Sequence, residues 1–119
     1  MDQIRNFKTT PLGTFPHCHD GRGTLDFTEL FTGADFAADI RFFHHTVLPP
    51  ETSIGLHTHG NDQEIYIVLA GTGRMHLDGN TYPVGPGDVI VNRPYGTHGI
   101  ENTGAERLEL LVFEVGCAE

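Results

Sequence analysis

The chain of 119 residues carries 16 acidic residues against 7 basic ones, which gives a formal net charge of −9. Because an acidic surface repels phosphate groups, this balance excludes nucleic acid and anionic membranes as partners. The length fits one compact domain, and a hydrophobic content of 38% is typical of a globular protein. No apolar run approaches the roughly 18 residues of a spanning helix, and the first residues lack a signal-peptide core, so the sequence favours a cytoplasmic protein.

Residues 1–22 are predicted to form an irregular N-terminal arm, and residues 23–119 a single β-domain. Prolines and glycines interrupt every periodic pattern in the arm. The segment HCHD at residues 17–20 has the composition of a metal site, but its residues are consecutive and have no second pair at the spacing of a zinc site. We therefore do not interpret this segment as a metal site.

The rest of the chain is predicted to form short strands. Alternating apolar residues, or runs of β-branched and aromatic residues bounded by Gly, Pro, Asn and Asp, mark each strand. The predicted strands cover residues 24–30, 40–48, 53–59, 64–70, 74–77, 81–84, 89–92, 97–101 and 107–115. Turn signals recur about every 8 to 12 residues, which predicts an all-β sandwich or barrel.

Three residues in the middle of the chain have the pattern of metal ligands. His57 and His59 are two residues apart on a predicted strand, so they point to the same face with α-carbons about 6.6 Å apart. Glu64 enters on the next strand after the turn formed by residues 60–63. Because two histidines and one carboxylate are a recurrent ligand set, the pattern predicts a divalent metal site.

The alternation of faces along the strands also predicts what surrounds this site. If Glu64 points into the barrel, Tyr66 and Val68 do so too. On the following strand Met75 is expected in the core and His76 on the outer face. The neighbours His44 and His45 must face opposite sides, and the sequence does not decide which of the two faces the interior.

The same region resembles the first motif of the cupin superfamily. That motif is a glycine, five residues, His-x-His, three or four residues, Glu, six residues and a second glycine. His57, His59, Glu64 and Gly71 fit this spacing, whereas Glu51 occupies the position of the leading glycine.

The second cupin motif is also recognisable. It is a glycine, five residues, Pro-x-Gly, two residues, His, three residues and Asn. Gly87, His98 and Asn102 stand at the expected positions, and the internal proline and glycine are displaced by one residue, to Pro94 and Gly96.

The resemblance implies a double-stranded β-helix, or jelly-roll barrel, in which His57, His59, Glu64 and His98 bind one divalent transition metal ion per chain. Iron, manganese, nickel, copper, zinc and cobalt all suit such ligands. The resemblance also implies a homodimer, in which edge strands pair or the N-terminal arm covers a sheet edge.

The reaction remains open at this point. A metal-dependent enzyme acting on a small organic molecule is favoured. Among the reaction classes, dioxygenase-like chemistry is slightly favoured. The alternatives are an isomerase or lyase of a sugar or other small metabolite, and a binding protein without catalysis whose metal is structural. Tyr66 is the candidate catalytic residue, because its hydroxyl can bond a metal-bound substrate or a ligand; otherwise it is an ordinary barrel residue.

Overall fold

The computed structural model describes residues 3–118, so Met1, Asp2 and Glu119, at the ends of the predicted arm and domain, lie outside the described residues. Between those limits the chain forms ten strands and two short 3-10 helices, Cys18–Asp20 and Gly33–Asp35. The strands are β1 (Gly13–Pro16), β2 (Thr24–Thr32), β3 (Ile40–Leu48), β4 (Ser53–Thr58), β5 (Asp62–Ala70), β6 (Gly73–Leu77), β7 (Asn80–Val84), β8 (Val89–Asn92), β9 (Thr97–Asn102) and β10 (Leu108–Gly116). Within the described part of the chain, no helix is long and apolar enough to cross a membrane.

The strands form two antiparallel sheets that face each other as a jelly roll. The larger sheet has the order β1-β2-β3-β10-β5-β8, and the smaller one β4-β9-β6-β7. Neighbours such as β3 and β10, or β10 and β5, are far apart in sequence, so the fold depends on long-range pairing. The all-β jelly roll predicted from the sequence is confirmed.

The core lies between the two sheets, and its residues follow the period of two that a strand imposes. Burial alternates along β5, where Glu64, Tyr66 and Val68 point inward as predicted. Met75 is fully buried beside them, and its neighbour His76 lies half-buried on the outer face, also as predicted. Each large apolar side chain buried in this way contributes roughly 1.5–3 kcal/mol to the free energy of folding.

One strand was missed by the sequence analysis. Gly13–Pro16 was predicted to belong to an irregular arm, but it forms β1 and pairs antiparallel with β2, with Gly13 opposite Phe27. All four of its residues are exposed, so the segment shows no alternation of apolar and polar residues. Its strand conformation comes from pairing with a distant part of the chain. The division of the chain at residue 22 stays a prediction.

The two departures from the cupin glycine pattern preserve the backbone that a glycine would adopt. Glu51 stands where the first motif has its leading glycine, and its φ is 65°. Tyr95 stands where the second motif has its internal glycine, which is displaced here to Gly96, and its φ is 60°. Gly71 and Gly87, which match the motifs, have φ of 82° and 91°. A left-handed conformation costs an L-residue about 1–2 kcal/mol, so these turns keep their shape at some expense of stability.

Asn102 joins the end of β9 to two other segments. Its side-chain amide donates hydrogen bonds to the carbonyls of Leu48, at 2.9 Å, and Glu106, at 2.8 Å. Its amide oxygen accepts a hydrogen bond from the backbone N–H of Gly104 at 2.9 Å. Because the side chain is buried, the loss of these bonds removes a partner from the Leu48 carbonyl at a place that water does not reach.

We therefore expect Asn102→Ala to lower the free energy of unfolding by about 2–4 kcal/mol, since three hydrogen bonds made by a buried side chain are lost. Urea denaturation followed by circular dichroism measures the change. Asn80→Ala, at an exposed position, serves as the control and should stay within about 0.5 kcal/mol of the wild type. Equal stability of the two variants would contradict a clamping role for Asn102.

Candidate metal centre

Four side chains from β4, the residue after it, β5 and β9 converge inside the barrel. His57, His59, Glu64 and His98 each offer one ligand atom, and these atoms all lie within 4.8 Å of one another. His57 and His98 stand directly opposite each other in the β4–β9 pair, and His59 follows β4 by one residue. Glu64 comes from β5, in the other sheet. The structure thus brings together all four residues that the sequence singled out as metal ligands.

The acidic group lies in the middle of the cluster. Oε1 of Glu64 lies 3.0 Å from Nε2 of His98 and 3.7 Å from Nε2 of His59. The rings of His59 and His98 are stacked, with centroids 4.7 Å apart. Nε2 of His59 is buried and has no hydrogen-bond partner, although a buried ring nitrogen ordinarily has one. A cation bound to this nitrogen would supply the partner.

The hydrogen bonds behind two of the histidines define which nitrogen is free to bind. Nδ1 of His57 donates to the carbonyl of Gly55 at 2.8 Å. Nδ1 of His59 faces the carboxylates of Asp62, at 3.4 Å, and Glu114, at 3.3 Å. When Nδ1 carries the proton, the lone pair of the neutral ring lies on Nε2, which is the form that binds a metal ion.

The protonation states favoured here are those of metal ligands. Burial lowers the pKa of His57 to about 4, so its ring is neutral at pH 7. Burial alone would raise the pKa of Glu64, but its hydrogen bond with His98 and the charges of His98 and His59 outweigh that effect and place the pKa below its usual value. A neutral imidazole and an ionised carboxylate need to release no proton before they bind a cation.

Asp62 and Glu114 form a coupled acidic pair behind His59. Burial and the hydrogen bond with Asp62 raise the pKa of Glu114 to about 8. Burial raises the pKa of Asp62 as well, but the hydrogen bonds with Glu114 and His59 lower it more, so its pKa lies below the usual value. At neutral pH the pair therefore retains one proton, on Glu114, while the Asp62 carboxylate accepts from His59.

A cavity of about 290 Å³ is lined by three of the four candidate ligands, His57, His59 and Glu64. Tyr66 lies at its inner end with 1% of its surface exposed, and its ring stands edge-on to His98 with centroids 5.6 Å apart. Burial and the neighbouring Glu64 raise the pKa of Tyr66 well above its usual value, so the hydroxyl stays protonated and can donate a hydrogen bond. This arrangement can position an organic molecule directly against the candidate metal ligands.

Two residues of the HCHD segment reach the cavity, which the sequence analysis did not foresee. Cys18 and His19 both line it, and the His19 ring stacks on that of His57 with centroids 3.6 Å apart. Burial and the charge of Glu64 raise the pKa of Cys18 to about 11, so its sulfur is a thiol and not the thiolate that binds metals. Among residues 3–118, the groups able to share one cation are the four-residue cluster and the overlapping trio His59, Asp62 and Glu114.

Two glycines in the sequence permit the contact between His19 and His57. A Cβ on Gly21 would lie 2.1 Å from the carbonyl oxygen of Ser53, and a Cβ on Gly55 would lie 2.0 Å from that of His19. Only glycine allows the Cys18–Asp20 turn to approach β4 so closely.

The alternation of faces along a strand did not decide which of His44 and His45 faces the interior. His44 lines the cavity, whereas His45 is buried on the other side of β3 and contacts Glu109 at 2.8 Å.

Two comparisons of the sequence with known proteins identify similar proteins. A family model described as "Cupin domain" matches residues 44–114, which include all four candidate ligands. An oxalate-binding protein of Thermotoga maritima is 34% identical over 108 residues, which make up 91% of this chain and 88% of that protein.

Solved structures with the same fold are also found. The crystal structure of a predicted oxalate decarboxylase from Thermotoga maritima superimposes with a TM-score of 0.94 at 30% identity, over 97% of this chain and 100% of the other. The cupin domain of Cnp3 from Schizosaccharomyces pombe superimposes with a TM-score of 0.80 at 13% identity, over 97% of this chain and 74% of the other, and shows a shared fold alone.

The Asp62–Glu114 pair predicts a pH dependence of the metal-free protein. Because the pKa of Glu114 is raised in the folded state, the folded chain retains a proton that the unfolded chain loses above its usual pKa of 4.5. The stability contributed by this group is therefore complete below pH 4.5 and is lost as the pH rises to about 8. Glu114→Gln cannot ionise and avoids this loss.

We expect the melting temperature of Glu114→Gln, relative to the wild type, to increase between pH 5 and pH 8 and to level off above that range. Thermal denaturation in the presence of a chelator measures the difference. Glu106→Gln, on an exposed turn, is the control for removal of one negative charge. A difference between Glu114→Gln and the wild type that does not change with pH would show that the Glu114 carboxyl titrates in its ordinary range.

Proposed function

This chain is a member of the cupin family, and we propose that it is a metal-dependent cupin that binds one divalent transition metal ion and presents it to a small organic molecule. The observation that supports this function most directly is the convergence of four ligand atoms within 4.8 Å, three of them from residues that line a cavity. The ion is one of iron, manganese, nickel, copper, zinc and cobalt, since imidazole and carboxylate ligands suit all of them.

The residues proposed to bind the ion are His57, His59, Glu64 and His98. The unpartnered Nε2 of His59 and the Nδ1 bond of His57 favour this assignment. When bound, the ion would supply Lewis acidity next to the cavity. No cysteine belongs to the set, and closed structural zinc sites are commonly rich in cysteine, so the composition favours a site that accepts an additional ligand.

The surrounding residues have roles that follow from their contacts. Asp62 accepts the Nδ1 proton of His59, and the Gly55 carbonyl accepts that of His57, so both rings keep the orientation in which Nε2 points to the ion. The Tyr66 hydroxyl lowers the pKa of Glu64, and we propose that it does so by donating a hydrogen bond that orients the carboxylate. We propose that the same hydroxyl contacts the bound molecule, since it lies in the cavity wall.

Among the possible reactions we favour oxidation of the bound molecule with dioxygen as the co-substrate. Phenyl and aliphatic side chains make up much of the cavity lining, and such a surface suits an apolar molecule and dioxygen. A sugar would need several hydrogen-bond partners for its hydroxyls, which makes isomerase or lyase chemistry on a sugar the weaker alternative.

A binding protein without catalysis is the second candidate, and the name of the Thermotoga maritima relative, an oxalate-binding protein, favours it. The two functions differ in one observable. An enzyme consumes a ligand that binds at its metal, whereas a binding protein releases it unchanged. Proton NMR of a bound ligand incubated in air with the metal-loaded protein separates the two.

We also propose a homodimer. The edge strand β8 exposes Val89 and Val91, with 61% and 50% of their surface accessible, and a second copy would cover them. Sedimentation velocity measures the mass, and a monomer of 13.1 kDa at micromolar concentration would refute this proposal. A cytoplasmic location stays a prediction from the sequence.

The metal site predicts the metal content of the purified protein. We expect about one transition metal ion per chain in the wild type and none in the double variant His57→Ala, His59→Ala, because two of four ligands are lost. Elemental analysis after expression in unsupplemented medium measures the content. His76→Ala removes a histidine on the outer face, which contacts Glu101 at 3.1 Å, and should keep the metal.

Loss of metal from His76→Ala would show that removing any histidine disturbs the protein. Absence of metal from the wild type, even after reconstitution, would exclude the proposed function.

The role of Tyr66 predicts a change in metal affinity. Tyr66→Phe keeps the buried ring and removes only the hydroxyl proposed to bond Glu64. We expect metal affinity to fall about 10-fold, as is typical when a partner of a metal ligand is lost, with little change in melting temperature. Competition with a chromophoric chelator measures the affinity. Tyr82→Phe, at a half-exposed position, is the matched control. Equal affinity in both variants would leave Tyr66 as an ordinary barrel residue.

A further inference from the structure

The cavity beside the candidate metal centre is lined by both polar and apolar side chains. The polar lining includes three of the four candidate ligands, His57, His59 and Glu64, together with Glu114. The apolar lining is formed by six phenyl and aliphatic side chains, contributed by β1, β2, β3, β4 and β10: Phe15, Leu25, Phe27, Phe42, Ile54 and Val112. A molecule bound at the metal therefore extends into hydrophobic surroundings.

Four rings of this cavity form a continuous surface, which we call the aromatic wall: Phe15, Phe27, Phe42 and His44. Phe15 meets Phe27 edge-on, with centroids 5.9 Å apart. Phe27 and His44 are 5.4 Å apart, and His44 stacks on Phe42 at 4.1 Å. Because each ring is packed against the next, the surface is ordered before a ligand arrives, and little side-chain entropy is lost on binding.

The charges of the cavity disfavour a second anionic group on the ligand. Within the described residues, no lining side chain belongs to lysine or arginine, and the ionised Glu64 carboxylate contributes a negative charge. Burial lowers the pKa of His44, so the one basic ring of the aromatic wall is neutral at pH 7. A carboxylate that extended beyond the metal would lose its hydration and find no cation in exchange.

Resting on the metal-dependent function proposed above, we infer that the ligand has oxygen donors at one end only and an apolar body, of the size of one aromatic ring or a branched chain, that packs against the aromatic wall. A volume of about 290 Å³ is just below the range for small-molecule sites, about 300–1,000 Å³, so the apolar body of the ligand is small. Oxalate has no apolar body that could pack against the aromatic wall.

Two metal chelators with the same head test this inference. Acetohydroxamate and benzohydroxamate bind a metal ion through the same two oxygens and differ only in a methyl or phenyl group. Isothermal titration of the zinc-loaded wild type with each compound gives both affinities. We expect benzohydroxamate to bind about 10- to 100-fold more tightly, because its ring is removed from water against the aromatic wall.

Adjacent phenylalanines on β3 provide a matched pair of variants. Phe42 lines the cavity, whereas Phe43 faces the other side of the sheet and stacks on Phe113 with centroids 5.3 Å apart. Both side chains are half-buried. Phe42→Ala should weaken benzohydroxamate binding about 3- to 10-fold and leave acetohydroxamate unchanged, and Phe43→Ala should affect neither. The comparison of the two compounds in the wild type stands even if a variant fails to fold.

The outcomes separate this inference from the function on which it rests. A tighter benzohydroxamate complex that depends on Phe42 supports the inference. Equal affinities of the two hydroxamates in a protein that contains zinc overturn it and leave the metal-dependent function intact. If elemental analysis shows that the wild type takes up no zinc, the proposed function fails, and the inference fails with it.

Discussion

A carboxylate and an imidazole, both buried, meet 3.0 Å apart in the middle of this barrel. Glu64 belongs to β5 in the six-stranded sheet, and His98 to β9 in the four-stranded sheet, so their contact joins the two layers. Polar groups in a core are costly unless they are paired, which makes the relative position of the sheets a condition of stability as well as of metal binding. A slip of one residue in either strand would turn one partner outward and leave the other unpaired.

Much of this arrangement could be predicted from local pattern. The alternation along β5 places Tyr66 and Val68 on the same side as Glu64, and the strand spacing of His57 and His59 directs both rings to one face. Strand period is a local property, so it is visible in a single sequence. His98 was identified only through its resemblance to a family motif, because nothing within its own strand distinguishes it from a surface histidine.

The remaining features depend on contacts between distant segments. β1 is exposed along its whole length and becomes a strand only by pairing with β2. The position of His19 over His57 requires the close approach that Gly21 and Gly55 permit, and no pattern of neighbouring residues encodes that approach. The left-handed turns at Glu51 and Tyr95 could not be predicted from the sequence for a different reason. Both residue types ordinarily avoid the positive φ that the fold imposes on them.

Part of the cavity lining comes from a segment of the chain that carries none of the candidate metal ligands. All four candidate metal ligands lie between residues 44 and 114, whereas Phe15, Cys18, His19, Phe27 and Phe42 all precede residue 44. Substitutions in the first third of the chain can therefore alter which molecule fits, while the residues that would bind the metal stay the same. Members of this family can inherit one metal centre and diverge in the compound they recognise, so the ligand of a relative cannot be inferred from shared metal residues alone.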